Sequence, residues 1–88
     1  MEKKNILVID DESDIREFLC TLLKSKGYNV IETDDGTKAI KLVDLKQPDL
    51  IISDLLLPGI HGLEVIKYIK DKYFIPVIES PVFIIWKK

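Results

Sequence analysis

Acidic side chains follow two apolar runs of this sequence at the points where those runs end. Asp10 and Asp11 come directly after residues 6–9, and Asp54 comes directly after residues 50–53. Carboxylate oxygens are ligands that Mg²⁺ prefers, and one or two suffice because water and phosphate oxygens complete its octahedral shell. Three carboxylates gathered at one place repel one another, and a hard cation among them relieves that repulsion. The residue types therefore predict a magnesium site if the fold brings these carboxylates together.

The elements that must position these carboxylates alternate between strand and helix. The continuous apolar runs are typical of strands that are buried on both faces of a parallel sheet. Between them, apolar residues recur at helical spacing, as at Ile15, Leu19 and Leu22, which indicates an amphipathic helix. The sequence predicts strands at 6–9, 28–33, 50–54 and 75–79, and helices that begin near Ser13, after Gly36 and near Gly62.

Short connections between these elements imply right-handed β-α-β crossovers. The predicted fold class is therefore α/β, with a doubly wound, mainly parallel sheet and helices on both of its faces. In such folds, ligands lie outside the carboxyl ends of the strands. We expect Asp10, Asp11 and Asp54 to converge at that edge, although Asp54 is far from the other two in sequence.

The composition describes one small globular domain. The chain has 88 residues, of which 47% are hydrophobic and 32% are charged, and no apolar run is long enough for a membrane span. Its net charge of −2 gives no broad cationic surface for direct nucleic-acid binding. Cys20 is the one cysteine and cannot form an internal disulfide, and the first residues do not resemble a signal peptide. We therefore expect a cytoplasmic protein.

Two segments resemble the receiver domains of two-component response regulators, whose fold is CheY-like. Residues 4–12, KNILVIDDE, are similar to the first strand of that family with its acidic pair. Residues 48–59, PDLIISDLLLPG, are similar to its phosphorylation strand and loop, and residues 60–65, IHGLEV, to the start of the next helix. The resemblance covers residues 4–79.

This resemblance implies a role for each residue that matches the family motif. Asp54 would be the phosphoacceptor, which takes a phosphoryl group from a histidine kinase or a phosphotransfer protein. Mg²⁺ would be held by Asp10, Asp11, Asp54 and the main-chain carbonyl of Leu56. Ser80 would supply the hydroxyl that the family places at the end of the fourth strand. Such a chain catalyses its own phosphorylation and dephosphorylation and is not a conventional enzyme.

The C-terminal part departs from the family pattern. A complete receiver continues through a fourth helix, a fifth strand and a fifth helix, which carry a Lys-Pro pair and an aromatic switch residue. Here residues 80–88 read SPVFIIWKK instead, and His61 stands where an aspartate is usual. We therefore expect a truncated receiver, in which residues 1–88 form a single domain, 1–79 are receiver-like and 80–88 form an atypical tail.

Several interpretations of the tail remain open. It could form an antiparallel hairpin, continue the fourth strand, or exchange with a second chain. Because an uncovered sheet edge and apolar face favour association, we expect a homodimer, strand-exchanged through the segment from Val82 to Trp86. An alternative function is a non-switching dimerisation or interaction module derived from a receiver domain. A third interpretation is a frame-shifted or engineered fragment with an accidental tail.

Overall fold

Strands and helices alternate along the chain in the order that the apolar pattern predicts. The structure, a computed structural model, describes residues 3–53 and 62–79. The elements are β1 (Asn5–Ile9), α1 (Ser13–Ser25), β2 (Asn29–Thr33), α2 (Gly36–Lys46), β3 (Leu50–Ser53), α3 (Gly62–Lys72) and β4 (Val77–Glu79). None of the helices in the described ranges is long and apolar enough to cross a membrane.

The bounds differ from the predicted ones mainly at β4. The sequence predicts a strand from residue 75, whereas pairing with β3 begins at the Pro76 carbonyl, which accepts a hydrogen bond from the Ile51 amide at 3.0 Å. Proline has no N–H to donate, so it stands just before the strand and not within it. β2 begins one residue later than predicted because the Tyr28 amide donates to the Leu23 carbonyl of α1 at 3.2 Å.

The sheet has the strand order β2-β1-β3-β4, and all neighbouring strands are parallel. This order confirms the doubly wound fold class. The last residues of the strands lie in one row, since Ile9 is opposite both Thr33 and Ser53, and Ser53 is opposite Glu79. The four described strands therefore end together at one carboxyl edge.

Both faces of the sheet are covered by apolar packing, as the continuous apolar strands predict. α1 covers one face, where Val8 of β1 packs among Ile15, Leu19 and Cys20. α2 and α3 cover the other face, where Leu7 of β1 packs among side chains of both helices. The fully buried members on this second face are Leu7, Ile9, Ala39, Val43, Ile51, Val65 and Ile69. Because successive side chains of β1 point to opposite layers, the strand fixes the sheet between its helices.

Glycine and aspartate at the helix ends set where the chain enters the next element. Gly27 follows α1 with φ +94°, a left-handed conformation that glycine adopts without a Cβ penalty. The Asp35 carboxylate caps α2 by accepting hydrogen bonds from the amides of Thr37 at 2.6 Å and Lys38 at 3.3 Å. These caps satisfy main-chain groups that each helix end leaves without an intrahelical partner.

A polar cluster joins the C-terminal parts of α2 and α3, and we call it the helix-end cluster. The Asp44 carboxylate accepts hydrogen bonds from the hydroxyls of Tyr68 at 3.0 Å and Tyr73 at 2.5 Å, and from the Lys72 ammonium at 3.2 Å. The Tyr73 hydroxyl above all holds the pKa of the Asp44 carboxyl below its usual range. Since α3 runs back from the carboxyl edge, the cluster lies at the opposite, amino edge of the sheet.

Candidate functional site

The polar residues that the fold buries lie at the carboxyl edge of the sheet. In the described ranges, the buried polar residues are Asp10, Thr33 and Ser53, which are 1%, 7% and 1% exposed. Thr33 and Ser53 are the last residues of β2 and β3, and Asp10 directly follows β1. Burying polar groups costs free energy unless they are hydrogen-bonded, so their concentration at one edge marks that edge as the candidate site.

Asp10 is held on several sides. Its amide donates to the Thr33 carbonyl at 3.1 Å, which extends the β1–β2 pairing by one residue. Its carboxylate Oδ1 accepts a hydrogen bond from the Glu12 amide at 2.9 Å, just before α1 begins. Its main-chain carbonyl accepts a hydrogen bond from Nη1 of Arg16 at 2.7 Å. The position of this buried carboxylate is therefore fixed by β2, by the turn into α1 and by a side chain of α1.

Arg16 and Glu32 complete this arrangement. Nε of Arg16 donates to the Glu32 carboxylate at 3.0 Å, and the two side chains are 19% and 45% exposed. Arg16 lies in the second turn of α1 and Glu32 lies in β2. We call Asp10, Arg16 and Glu32 the carboxyl-edge bridge, because one guanidinium connects the end of β1 to β2.

Asp11, the second acid of the pair, is exposed, whereas Glu12 is half-buried. The pair thus presents one buried, fixed carboxylate and one at the surface. Mg²⁺ keeps several water ligands and takes only one or two protein carboxylates. The hard oxygen donors at this edge therefore fit a partly hydrated Mg²⁺, although the described residues contain no group of three metal-ligating side chains.

The third carboxylate of the sequence prediction, Asp54, directly follows β3 in sequence. Ser53 ends β3 opposite Ile9, and Asp54 is the next residue along the chain. Asp54 itself lies outside the described residues, as do Leu56, His61, Ser80 and the segment from Val82 to Trp86. The roles that the resemblance implies for them stay predictions.

Comparison with known proteins identifies the family. The response regulator receiver domain family matches residues 6–85 of this chain. The chain belongs to the response regulator receiver family. Its four described strands have the order of the CheY-like sheet, so the resemblance on which the sequence prediction depends is confirmed.

Solved structures of receivers share this fold. The chemotaxis response regulator CheY4 of Vibrio cholerae matches with a TM-score of 0.82 and 29% identity, over 86% of this chain and 66% of that one. A putative response regulator from Chloroflexus aurantiacus matches with a TM-score of 0.80 and 29% identity, over 86% and 65% of the two chains. This receiver thus spans slightly less than two thirds of the length of these relatives.

One similar structure contains a kinase. The crystal structure of the histidine kinase ThkA in complex with the response regulator TrrA matches this receiver with a TM-score of 0.78 and 40% identity, over 84% of this chain and 65% of that one. It shows that a receiver similar to this one forms a complex with a histidine kinase.

Sequence reasoning missed four polar residues of this site in the receiver. Thr33 and Ser53 end strands that were recognised by their apolar residues alone. Arg16 and Glu32 belong to different elements, and no local pattern indicates that they meet. One signal was available for Arg16, which is the only arginine in a chain with thirteen basic residues.

Cys20 lies close to this site but is not suited to nucleophilic chemistry. Burial, and then the nearby Glu32 carboxylate, raise the pKa of its thiol to about 11. The thiolate is the nucleophilic form of cysteine, so at neutral pH this residue is a small apolar part of the core.

Proposed function

We propose that this receiver accepts a phosphoryl group from a histidine kinase on Asp54, in a phosphorelay that requires Mg²⁺. Family membership supports the reaction class, and the kinase complex of a similar receiver supports the type of partner. The observation that carries the proposal is the buried Asp10 at the carboxyl edge, beside the strand pair Ile9 and Ser53 that precedes both acids in sequence.

The transfer is a displacement at phosphorus. A carboxylate oxygen of Asp54 forms a bond to phosphorus while the phosphorus–nitrogen bond of phosphohistidine breaks and the imidazole leaves. Mg²⁺ would be held by Asp10, Asp11, Asp54 and the carbonyl of Leu56. When bound, it would neutralise the negative charge of the phosphoryl oxygens. Asp10 contributes a carboxylate whose position is fixed before any ligand arrives, so little ordering is needed on binding. Ser80 would donate its hydroxyl to the transferred group.

The proposal also includes the cellular compartment, the phosphodonor and the oligomeric state of the receiver. The reaction belongs in the cytoplasm, and a phosphotransfer protein could stand in for the kinase as donor. The receiver would act as a homodimer, with strand exchange through the segment from Val82 to Trp86. Ile78 supports association because it is 43% exposed on β4, which has one strand neighbour among the described residues.

Intact mass spectrometry with a small phosphodonor tests this function. The protein is incubated with acetyl phosphate in the presence of Mg²⁺ or of a chelator, beside the Asp54→Asn variant. We expect a mass increase of one phosphoryl group only in the wild-type protein with Mg²⁺. Absence of the adduct from folded wild-type protein would contradict the proposal.

A non-switching interaction module is the second candidate function. It is favoured by the apolar side chains exposed on α1, where Phe18 is 58% and Leu22 is 42% exposed. Light scattering after size exclusion, with and without phosphodonor, separates the two functions. A dimer that forms equally well in the Asp54→Asn variant, together with no phosphoryl adduct, would favour the module.

A further inference from the structure

Arg16 makes two contacts at the carboxyl edge, one with the residue after β1 and one with β2. Its guanidinium donates to the Asp10 carbonyl at 2.7 Å and to the Glu32 carboxylate at 3.0 Å, and its side chain is only 19% exposed. The first contact reaches the main chain of the residue that carries the buried acid. Any change in the Arg16 position is therefore transmitted to Asp10 through one hydrogen bond.

The residue type matches this geometry. A guanidinium is planar and presents several N–H donors in a rigid fork, whereas a lysine ammonium is a compact charge on a flexible stem. Twelve of the thirteen basic residues in this chain are lysines, and the one arginine stands where two acceptors, one just after β1 and one on β2, must be held at once. Lysine at this position would lose the fixed angle between the two contacts.

Glu32 has a second effect, which is electrostatic. The guanidinium is a permanent positive charge close to the edge where a divalent cation would bind, and it would repel that cation if it were uncompensated. The Glu32 carboxylate lies at 3.0 Å from Nε and compensates the charge. The pair can therefore orient Asp10 without adding net charge to the site.

We propose that Arg16 and Glu32 are positioning residues that set the orientation of Asp10 and thereby the Mg²⁺ affinity of the acidic pair, an inference that rests on the proposed function. Neither residue ligates the cation. Arg16 and Glu32 instead support a residue that would ligate the cation. Changes in groups that hydrogen-bond to metal ligands typically reduce metal affinity by about 10–100-fold. The inference goes beyond phosphotransfer, because it concerns how the site is prepared for the cation.

Calorimetric titration with Mg²⁺ alone, without phosphodonor, tests the inference on the full chain. We expect the Arg16→Gln variant to bind Mg²⁺ about tenfold more weakly than wild type, and Arg16→Lys to lose less. Glu32→Gln should also weaken binding, because it leaves the guanidinium charge uncompensated. In the double variant the two losses should not add, because the uncompensated guanidinium charge that weakens binding in Glu32→Gln is absent once Arg16 is replaced.

The matched control is Lys72→Gln, which breaks a similar ion pair, with Asp44 at 3.2 Å, at the opposite edge of the sheet. It should leave the Mg²⁺ affinity unchanged. Backbone amide shifts of residues 10–12 in NMR spectra without Mg²⁺ provide a second readout, and they should move in the Arg16 variants and not in the control.

The outcomes separate this inference from the proposed function. If wild-type protein binds no Mg²⁺, the proposed function fails. If wild type binds Mg²⁺ and the folded Arg16 and Glu32 variants bind it equally well, only the positioning inference fails. If both Arg16 variants fail to fold while Lys72→Gln folds, Arg16 has a structural role and the inference is overturned.

Discussion

The carboxyl-edge bridge and the helix-end cluster are built from the same chemistry in different surroundings. In each, an ion pair joins two elements, Arg16 with Glu32 in the bridge and Lys72 with Asp44 in the cluster. The buried acid of the bridge, Asp10, is 1% exposed and is held through its main chain as well as its carboxylate. The acid of the cluster, Asp44, is exposed, and the cluster holds it through its carboxylate.

This difference teaches where polar contacts matter for function. Water competes for exposed ion pairs and hydrogen bonds, so the helix-end cluster mainly orients α3 against α2 and contributes little to stability. At the carboxyl edge, hydrogen bonds hold Asp10, whose carboxylate the core has excluded from water, and there the loss of one partner is costly. Substitutions in both regions test this difference, beginning with Asp10 at the carboxyl edge.

The largest effect is expected from Asp10→Asn. The amide side chain keeps an oxygen that can accept from the Glu12 amide but removes the charge that attracts a cation. Since loss of a ligand should exceed the loss of a group that supports one, we expect Mg²⁺ affinity to fall by about 100-fold or more in calorimetry. Without Mg²⁺ the variant should unfold at a higher urea concentration, because repulsion within the acidic pair is reduced. Unchanged Mg²⁺ binding would show that Asp10 is not a ligand.

The second effect is a pH dependence of stability that comes from the buried Cys20 thiol near the carboxyl edge. The thiol pKa of Cys20 is raised from 9.0 to about 11. Below about pH 9 the thiol is protonated in both states, and between pH 9 and about 11 only the unfolded chain loses this proton. The free energy of unfolding should therefore fall as pH rises through this window, by up to about 3 kcal/mol. Urea unfolding at several pH values measures it, and Cys20→Ala should show a smaller slope; equal slopes would contradict the assignment.

Next in size is the stability difference between matched changes in the two regions. Arg16→Gln leaves the part-buried Asp10 carbonyl without its guanidinium donor, which should lower the free energy of unfolding by about 1–2 kcal/mol. Asp44→Asn removes the charge of an exposed acid and should lower it less. Urea unfolding of both variants at neutral pH without Mg²⁺ gives the comparison. A larger loss in Asp44→Asn would reverse the order that burial predicts.

The smallest effect concerns the cluster alone. Tyr73→Phe removes the hydroxyl that contributes most to the lowered pKa of Asp44. The carboxyl should then titrate at a higher pH, which NMR of its carbon resonance detects. Because the pKa of Asp44 is lowered in the folded chain, its ionised carboxylate stabilises the fold at pH values above the unfolded-state pKa near 3.8. This stabilisation is lost as the pH falls and the carboxyl becomes protonated. The variant should therefore differ from wild type at neutral pH and converge with it at lower pH, and an unchanged Asp44 titration would assign the shift to Lys72 and Tyr68.

The sequence predicts this fold well because its elements carry local signals. The apolar run before Asp10 and the helical spacing from Ile15 give β1 and α1 within a residue or two, and Gly27 ends α1 as a left-handed residue. The placement of Asp10 at the carboxyl edge follows from the parallel sheet. These features depend on periodicity and on chain direction, which a single sequence contains.

The carboxyl-edge bridge could not be predicted in the same way. Arg16 and Glu32 are polar residues on an amphipathic helix and on a strand, and either alone would be interpreted as solvent-facing. Their contact depends on how α1 crosses β1 and β2, which is a tertiary property. β4 is present as predicted but begins two residues later, because the pattern shows that residue 75 is apolar but not where pairing with β3 begins.

The common row in which the four described strands end also has a consequence for how such a domain changes over time. Because Ile9, Thr33, Ser53 and Glu79 lie side by side, the connections that follow them all start from one level. One connection can then be lengthened, shortened or given a new sequence without shifting the starting points of the others. Evolution or protein design can therefore alter the recognition of binding partners one loop at a time, while the buried core of the sheet stays the same.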